Sequence, residues 1–547
     1  MREREFGMGV YLDSKKPFSI YGSEKKQPYF VDKTRLLSEL LPLVEAGGNY
    51  VCITRPRRFG KTVMANMIAA YFEKGQDGSS LFEGLEISRL EPEGRHQNQH
   101  HVIFISCNEV PRKCSSYAPY IDRMESRLKK DLQHAFPDIE MDAEAALWDI
   151  LDEIYETFEE TFIFILDEWD YIFHQDFAKE DDRKSYIRFL SSLLKDKPYV
   201  AFAYMTGILP IAKYSSGSEL NMFLEYTMAT KERYCGYFGF DDSEVDELYQ
   251  RYVSRTDEVK IRREDLRAWY DGYHTMSGVR LYNPRSVTAA LTDNQLGNYW
   301  TSCGPYDEIF YYIEKNTAAV RDALVLMVSG IPADARVQEY AAASMNIRTK
   351  DEIFSAMAVY GFLSYENGKV SIPNKELMDR FADMLRKEPS LGYVYRLARK
   401  SEQMLRATLS GNTDEMAEIL EYAHNTEIPL LHYNHETELA AVVNLVYLAA
   451  RDFYRIERED KAGIGYADFI FYPETDRTAD CLILELKIGH TPEEAIRQIK
   501  KRKYALRFEG KLGEKPLYSG RILAVGIAYD RKTKKHCCRT EVLERNA

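Results

Sequence analysis

Two groups of residues in this chain have the types and the spacing that phosphate chemistry requires. The first is Gly60-Lys61-Thr62, which follows the apolar segment Tyr50–Ile53 and opens the apolar-periodic segment Val63–Ile68. This order predicts a strand, a tight loop and a helix. In such a loop, backbone N–H groups and the helix N-terminus face an anion, the lysine reaches the terminal phosphates, and the threonine hydroxyl holds Mg²⁺. The pattern therefore predicts that the chain binds ATP or GTP.

The loop departs from the usual pattern, in which another glycine stands five residues before the last one. Arg55 occupies that position here, and Arg57 and Arg58 follow it. The three guanidinium groups place positive charge beside the expected phosphates, so Arg57 and Arg58 are candidate nucleotide contacts. The alternative is an ordinary solvated basic turn.

A buried strand and two carboxylates complete the first group. Phe162–Leu166 is an almost continuous apolar run, as expected of a strand covered on both faces, and it ends in Asp167-Glu168. At such a strand tip, Asp167 can hold Mg²⁺ through water opposite Thr62, while Glu168 polarises an attacking water. Asp170 either supports this cluster or caps a helix.

A further strand, Val200–Met205, ends in Thr206. In ATPases that have an extra strand between the two phosphate-site strands, a polar residue at this tip senses the γ-phosphate. Thr206 is the candidate for that role.

The second group lies near the C-terminus. Strand alternation places Glu485 and Lys487 on one face of the predicted strand Cys481–Lys487. Asp468, on the preceding predicted strand, meets that face if the two strands form a hairpin. Two carboxylates suit Mg²⁺ or Mn²⁺, and the lysine can orient a water and stabilise phosphate charge. The alternative for Glu485 and Lys487 is a simple salt bridge.

Two flanking helices add to this group. Glu436 or Glu438, at the start of an apolar helix, could complete the metal site. Pro492–Phe508 is predicted as one helix that contributes Gln498. Its outer face is basic and could follow a nucleic-acid backbone or could simply be solvated; the cations are Arg497, Lys500, Lys501, Arg502, Lys503 and Arg507.

The length of 547 residues predicts several domains, and strands alternate with helices up to about Lys213. A helix-rich region follows, then a helix, a hairpin and another helix that suggest either a winged-helix-like unit or a generic helical linker. The net charge of -13 excludes a general basic coat. The eight cysteines show no zinc spacing, and neither a signal segment nor a membrane span is predicted, which indicates a cytoplasmic protein without membrane partners.

The chain resembles the bacterial AAA-ATPase-like family, whose members often carry a C-terminal PD-(D/E)xK nuclease-superfamily domain. The resemblance rests on the second group of residues and on five segments, Pro28–Thr34, Thr54–Thr62, Leu166–Glu168, Trp269–Tyr273 and Tyr282–Pro284. It implies nucleotide contacts at the Gly-Lys-Thr run and roles in hydrolysis for the Asp-Glu pair. In the nuclease part it implies an active constellation of Glu436, Asp468, Glu485 and Lys487, supported by Gln498.

The predicted fold is α/β, with a P-loop NTPase parallel sheet, a helical middle region and a C-terminal restriction-endonuclease-like domain. The predicted domains are an ATPase core (1–215), a helical lid (216–345), a helical or winged-helix-like linker (346–430) and a nuclease-like domain (431–547). The leading hypothesis is an ATP-dependent or ATP-regulated nuclease that uses Mg²⁺ or Mn²⁺ and acts on DNA or RNA. The rival is a signalling or scaffold ATPase whose C-terminal domain binds nucleic acid or protein without cutting. Oligomerisation is compatible with both.

Overall fold

The structure is a computed structural model that describes residues 9–75, 77–139, 141–142, 144–211, 219–228, 231–300, 307–337, 347–425, 436–462, 465–474, 476–508 and 518–543. The helices are α1 (Lys15–Lys25), α2 (Arg35–Ala46), α3 (Lys61–Phe72), α4 (Ser79–Phe82), α5 (Glu86–Leu90), α6 (Tyr117–Ala135), α7 (Leu147–Phe158), α8 (Glu180–Leu194), α9 (Asp242–Arg255), α10 (Arg263–Tyr270), α11 (Pro284–Asp293), α12 (Asp307–Glu314), α13 (Thr317–Val328), α14 (Lys350–Tyr360), α15 (Lys375–Lys387), α16 (Tyr393–Arg399), α17 (Ser401–Ser410), α18 (Thr413–Asn425), α19 (Glu436–Val446) and α20 (Pro492–Lys501).

The strands are β1 (Asn49–Thr54), β2 (His101–Ser106), β3 (Phe162–Asp167), β4 (Val200–Gly207), β5 (Leu224–Tyr226), β6 (Tyr273–His274), β7 (Arg280–Leu281), β8 (Ala333–Asp334), β9 (Ser364–Glu366), β10 (Lys369–Ser371), β11 (Tyr454–Ala462), β12 (Gly465–Pro473), β13 (Cys481–Ile488), β14 (Ile522–Asp530) and β15 (Lys535–Leu543).

The chain divides into two compact units, Met1–Pro305 with Ala335–Glu376, and Tyr306–Asp334 with Leu377–Ala547. The boundaries between the four predicted domains stay a prediction. Among the described helices, none is long and apolar enough to cross a membrane.

A five-stranded sheet of order β2-β3-β4-β1-β5 forms the centre of the first unit. All its pairings are parallel, so the carboxyl ends of its strands meet at one edge. The central strands are buried throughout their length, because apolar residues on both of their faces pack against helices. The predicted parallel α/β sheet is confirmed, and β4 lies between β1 and β3.

The second unit contains a mixed sheet of order β11-β12-β13-β14-β15. The strands β12 and β13 form the predicted antiparallel hairpin, while β13 and β14 are parallel and are joined by the crossover that contains α20. Gly526 on β14 permits close packing of α20, since a Cβ there would lie 2.3 Å from the Pro492 carbonyl oxygen. The helix is thereby held directly against the strand that neighbours Glu485.

The single helix predicted over Pro492–Phe508 is wrong. The helix α20 ends at Lys501, Lys503 takes a φ of 54°, and a short 3-10 segment, Tyr504–Phe508, follows. The physical reason is the run of basic residues after Ile499, which supplies no apolar side chain to the inner face for another turn.

Candidate functional site

The predicted strand, loop and helix around the Gly-Lys-Thr run are all present in the first unit. The strand β1 ends at Thr54 and α3 begins at Lys61. Gly60 caps the helix with a φ of 86°, which only glycine adopts without strain, and a Cβ at this position would meet no atom within 4 Å. The N-terminus of α3 therefore opens onto free space, as an anion-binding loop requires.

Lys61 is folded against its own loop. Its Nζ donates hydrogen bonds to the carbonyl oxygens of Arg55, at 2.9 Å, and Pro56, at 2.8 Å. Burial lowers the pKa of the Lys61 ammonium to about 8, although the charges of Asp170, Asp167 and Glu168 oppose that shift. A strongly negative acceptor would be favoured here, because the desolvated ammonium is bonded to two neutral carbonyl oxygens.

Arg55 does not place its charge beside the phosphate position, and that part of the sequence-based expectation is wrong. Its side chain is 1% exposed. The guanidinium donates to the carbonyl oxygens of Thr54, at 2.7 Å, and Tyr226, at 3.0 Å, and to Cys235 Sγ at 3.3 Å. The arginine that replaces the usual glycine thus fastens the end of β1 to β5 and the segment after it.

Arg57 and Arg58 differ in their surroundings. The Arg57 charge lies close enough to lower the pKa of Lys61, after the larger effect of burial. Arg58 has a φ of 70°, and its Nη1 donates to the Tyr299 carbonyl oxygen at 2.7 Å. Both residues stay candidate nucleotide contacts.

Asp167 and Thr206 are register partners at the tips of β3 and β4, and both are almost fully buried. The Thr62 hydroxyl donates to the Asp167 carboxylate. Burial raises the pKa of Asp167 to about 6, although the bond from Thr62 acts in the other direction. In the described part of the chain, Asp167 Oδ1 and Thr206 Oγ1 have no hydrogen-bond partner. Buried polar atoms of this kind need an external donor such as a metal-bound water, so the corner fits hydrated Mg²⁺.

Glu168 follows directly, in a left-handed conformation with a φ of 54°. The Asn108 side-chain amide donates to Glu168 Oε2 at 2.7 Å. The turn therefore directs the carboxylate away from the buried Asp167 and towards the tip of β2, where a polar side chain fixes its orientation.

Asp170 stands at the N-cap of a 3-10 segment, Tyr171–His174, but its carboxylate makes no capping bond to that segment and supports the same edge of the sheet. Its Oδ2 accepts the backbone N–H groups of Ile208, at 3.0 Å, and Leu209, at 2.8 Å, and contacts His174 Nε2 at 3.4 Å. Burial alone would raise the pKa of Asp170, but the His174 contact and the two N–H groups bring it below its usual value. Asp170 thereby ties the turn after β3 to the segment after β4.

The residues of the second predicted group converge in the second unit. Phe469 pairs with Leu484 in the hairpin of β12 and β13, so the next residues along, Asp468 and Glu485, occupy facing positions. Asp468 Oδ2 accepts the backbone N–H of Leu486 at 2.7 Å. Glu485 is 2% exposed, whereas Asp468 is half-buried.

Lys487 and Gln498 both bond to Glu485 Oε1. The Lys487 Nζ lies 2.9 Å from that oxygen, and Gln498 Nε2 donates to it from α20. Gln498 also contacts the Tyr504 hydroxyl at 3.4 Å. Burial raises the pKa of Tyr504, and the charges of Glu485 and Asp468 act in the same direction, which places both carboxylates near this phenol.

The donor set at this site suits Mg²⁺ or Mn²⁺. The side chains of Glu436 and Glu438 lie outside the described part of the structure. Within the described residues, no group of three or more His, Cys, Asp or Glu side chains could hold a metal ion. Mg²⁺ is commonly bound by one or two carboxylates together with water and substrate phosphate, and the facing pair of Asp468 and Glu485 provides that number.

The basic face predicted on α20 is partly neutralised. Lys500 pairs with Glu541, and Arg497 pairs with Glu494 at 3.5 Å. Further exposed cations lie in the turn between β14 and β15, namely Arg531, Lys532 and Lys534, and at the first residue of β15, Lys535.

Sequence reasoning missed Asn108 and Tyr504. Asn108 was detectable in principle, because it follows the tip of β2 at the same edge as Asp167 and Glu168. Tyr504 was assigned to a continuous helix, and its position near Gln498 depends on the turn at Lys503.

Two family models match the chain. Residues 23–216 match the family described as predicted AAA-ATPase, and residues 434–538 match the PD-(D/E)XK nuclease superfamily. Both predicted resemblances are confirmed. The chain combines an ATPase-like P-loop domain with a C-terminal nuclease-superfamily domain.

Individual proteins that match the chain share little sequence identity with it. The chain is 26% identical over 281 residues to an "uncharacterized protein in vnfD 5'region" of Azotobacter chroococcum mcd 1, which aligns with 50% of this chain and 51% of that protein. The chain thus spans about half the length of the curated relative it matches. Solved structures with similarity include a Walker-type ATPase of Pyrococcus abyssi (TM-score 0.36, 12% identity, 64% of this chain and 94% of that one). Another is the Aeropyrum pernix ORC2 protein (TM-score 0.32, 11% identity, 70% of this chain and 97% of that one). Similarity at this level carries no information on activity.

Proposed function

We propose that this protein binds and hydrolyses ATP in its first unit and uses that reaction to control metal-dependent cleavage of nucleic-acid phosphodiesters by its C-terminal domain. The observation that carries the proposal is the convergence of Asp468, Glu485 and Lys487 on two adjacent strands of a chain whose first unit also holds a Gly-Lys-Thr loop at the N-terminus of α3.

In the first unit, the N-terminus of α3 and Lys61 bind the phosphates. Arg57 and Arg58 add positive charge at the loop. Thr62 and Asp167 hold the Mg²⁺ that accompanies the nucleotide, and Thr206 lies beside Asp167 to contact the terminal phosphate. Glu168, held by Asn108, orients the attacking water.

In the C-terminal domain, a bound Mg²⁺ or Mn²⁺ would neutralise phosphate charge and acidify a water. Asp468 and Glu485 hold that ion, with Glu436 as a further candidate ligand. Lys487, bonded to Glu485, orients the water and stabilises charge on the phosphate. Gln498 fixes the Glu485 carboxylate from α20.

The experiment compares wild type, Lys61→Ala and Lys487→Ala on plasmid DNA, linear DNA and RNA, with Mg²⁺ or Mn²⁺ and with or without ATP. We expect Lys487→Ala to lose cleavage but keep ATP turnover, and Lys61→Ala to lose ATP turnover and the dependence of cleavage on ATP. Binding of nucleic acid without shortening in any condition would instead support the scaffold ATPase. Full cleavage by Lys487→Ala would remove the second site from the proposal.

A further inference from the structure

Residues far along the chain hold the strained part of the phosphate-binding loop. Arg58 has a φ of 70°, a left-handed conformation that is strained for a residue with a Cβ. Such conformations persist where surrounding contacts enforce them. The bond from Arg58 to the Tyr299 carbonyl oxygen is one such contact, and the Trp300 indole Nε1 donates to the Arg57 carbonyl oxygen at 3.1 Å. Tyr299 and Trp300 thus fix Arg58 and Arg57 of the loop, respectively.

Trp300 cannot move without disturbing its neighbours. It is 7% exposed, and its ring meets Phe362 edge-to-face at a centroid distance of 5.4 Å. Gly361 lies against the same loop, since a Cβ there would be 2.6 Å from the Pro56 side chain. The segment that holds the loop is therefore itself packed tightly.

Glu376 anchors this segment. The side chain is 1% exposed. Its carboxylate accepts the backbone N–H groups of Trp300 and Tyr299, and the Ser286 hydroxyl donates to Oε2 at 2.9 Å. Burial raises the pKa of Glu376 to about 7, while these bonds and the Arg58 charge act in the opposite direction. A buried carboxylate that accepts three hydrogen bonds fixes the peptide groups that donate them.

We propose that Glu376 is a positioning residue for nucleotide binding. By fixing the N–H groups of Tyr299 and Trp300, it fixes the carbonyl and the indole that hold Arg58 and Arg57 in the shape the phosphate site needs. The inference rests on the proposed nucleotide site. It explains how a loop without the usual first glycine keeps one conformation, because the support comes from a distant segment.

The test is a double-mutant cycle in affinity for a fluorescent ATP analogue, measured on the full chain. Arg58→Gly removes the bond to Tyr299 and also the strain, since glycine adopts a positive φ freely. We expect Glu376→Gln to weaken binding about ten-fold in the wild-type background and about two-fold or less in the Arg58→Gly background. Equal losses in the two backgrounds would overturn the inference, because a general loss of structure does not depend on Arg58.

Trp300→Phe gives an independent arm that keeps the ring and deletes only the Nε1 donor. We expect Trp300→Phe to bind the analogue about five-fold more weakly than wild type. The matched variant Trp148→Phe, on α7, should bind it as wild type does. If circular dichroism shows that Glu376→Gln does not fold, Trp300→Phe takes its place in the cycle. Lys61→Ala distinguishes failure of the proposed nucleotide site from failure of the role given to Glu376. Equal binding by wild type and Lys61→Ala overturns the nucleotide site and this inference together. Loss of binding by Lys61→Ala with an additive cycle overturns this inference alone.

Discussion

The side-chain amide of Asn108 donates a 2.7 Å hydrogen bond to Oε2 of Glu168, and so links the tips of β2 and β3. The link follows from the parallel register, in which Ser106 lies opposite Asp167 and the chain turns within two residues of each. A carboxylate held on one oxygen keeps the other for a water. Orientation of that kind affects the rate of hydrolysis rather than the binding of nucleotide.

Replacing Asn108 should therefore lower ATP turnover selectively. We expect Asn108→Ala to reduce kcat about ten-fold with KM nearly unchanged, and Glu168→Gln to reduce kcat about a hundred-fold or more. Steady-state phosphate release measures both quantities. Turnover by Asn108→Ala equal to or above that of wild type would contradict the role given to Asn108.

The titration of Glu376 predicts that the stability of the folded chain falls as the pH rises. Burial raises its pKa from 4.5 to about 7, so the folded chain retains a proton that the unfolded chain releases. The stability contributed by the protonated carboxyl is fully present below about pH 4.5 and is lost as the pH rises through about 7. Glu376→Gln cannot titrate. Urea unfolding should show wild type losing on the order of 1–3 kcal/mol relative to Glu376→Gln between about pH 5 and pH 8. Parallel pH profiles for the two proteins would contradict this.

The substitution Gly526→Ala tests whether the close packing of α20 on β14 positions Gln498 beside Glu485. In Gly526→Ala the new methyl group would lie 2.3 Å from the Pro492 carbonyl oxygen and 3.1 Å from the Ala495 Cβ. The helix must then move, and Gln498 moves with it. We expect a loss of about 1–3 kcal/mol in unfolding free energy and weaker nuclease activity. The control is Gly236→Ala, where a Cβ meets nothing within 4 Å. Equal behaviour of the two variants would remove the packing argument.

The basic turn after β14 should contribute to nucleic-acid binding. Ala528 is the register partner of Lys487, and the turn begins three residues later, about 10 Å further along the strand. Removing Lys532, Lys534 and Lys535 should weaken binding and reduce the slope of log K against log salt by about 0.9 for each lost phosphate contact on duplex DNA. Hydrolysis of bis-p-nitrophenyl phosphate should not change. A control variant lacks Lys130, Lys231 and Lys260, three exposed lysines of the other unit; an equal loss in that control would refute a local role.

The parts of the fold that follow from short-range pattern were predictable from sequence. The apolar run before Asp167 predicts a strand buried on both faces, and β3 is that strand. Alternation placed Glu485 and Lys487 on one face, and the hairpin register brings Asp468 opposite Glu485. In each case a periodicity of two residues or a strand tip defines the position of the side chain.

The contacts between distant segments were not predictable in this way. The place of Arg55 in the loop predicts positive charge beside the phosphates, yet its guanidinium is buried against β5 because nearby carbonyl groups accept its hydrogen bonds. Glu376 gave no signal, since it lies 318 residues from Arg58 and acts through two peptide N–H groups. Roles of this kind depend on tertiary packing, which residue type and spacing do not encode locally.

Whether the C-terminal site cuts nucleic acid is decided by the shortening of end-labelled DNA and RNA in Mn²⁺ by the wild-type protein and by Asp468→Asn prepared in parallel. Asp468→Asn keeps the size of the side chain and an oxygen for the Leu486 N–H, but removes the negative charge that a cation needs. We predict cleavage by wild type and at least a hundred-fold slower cleavage by Asp468→Asn. Matching product patterns and rates from the two proteins would show that the cutting does not come from the site formed by Asp468, Glu485 and Lys487.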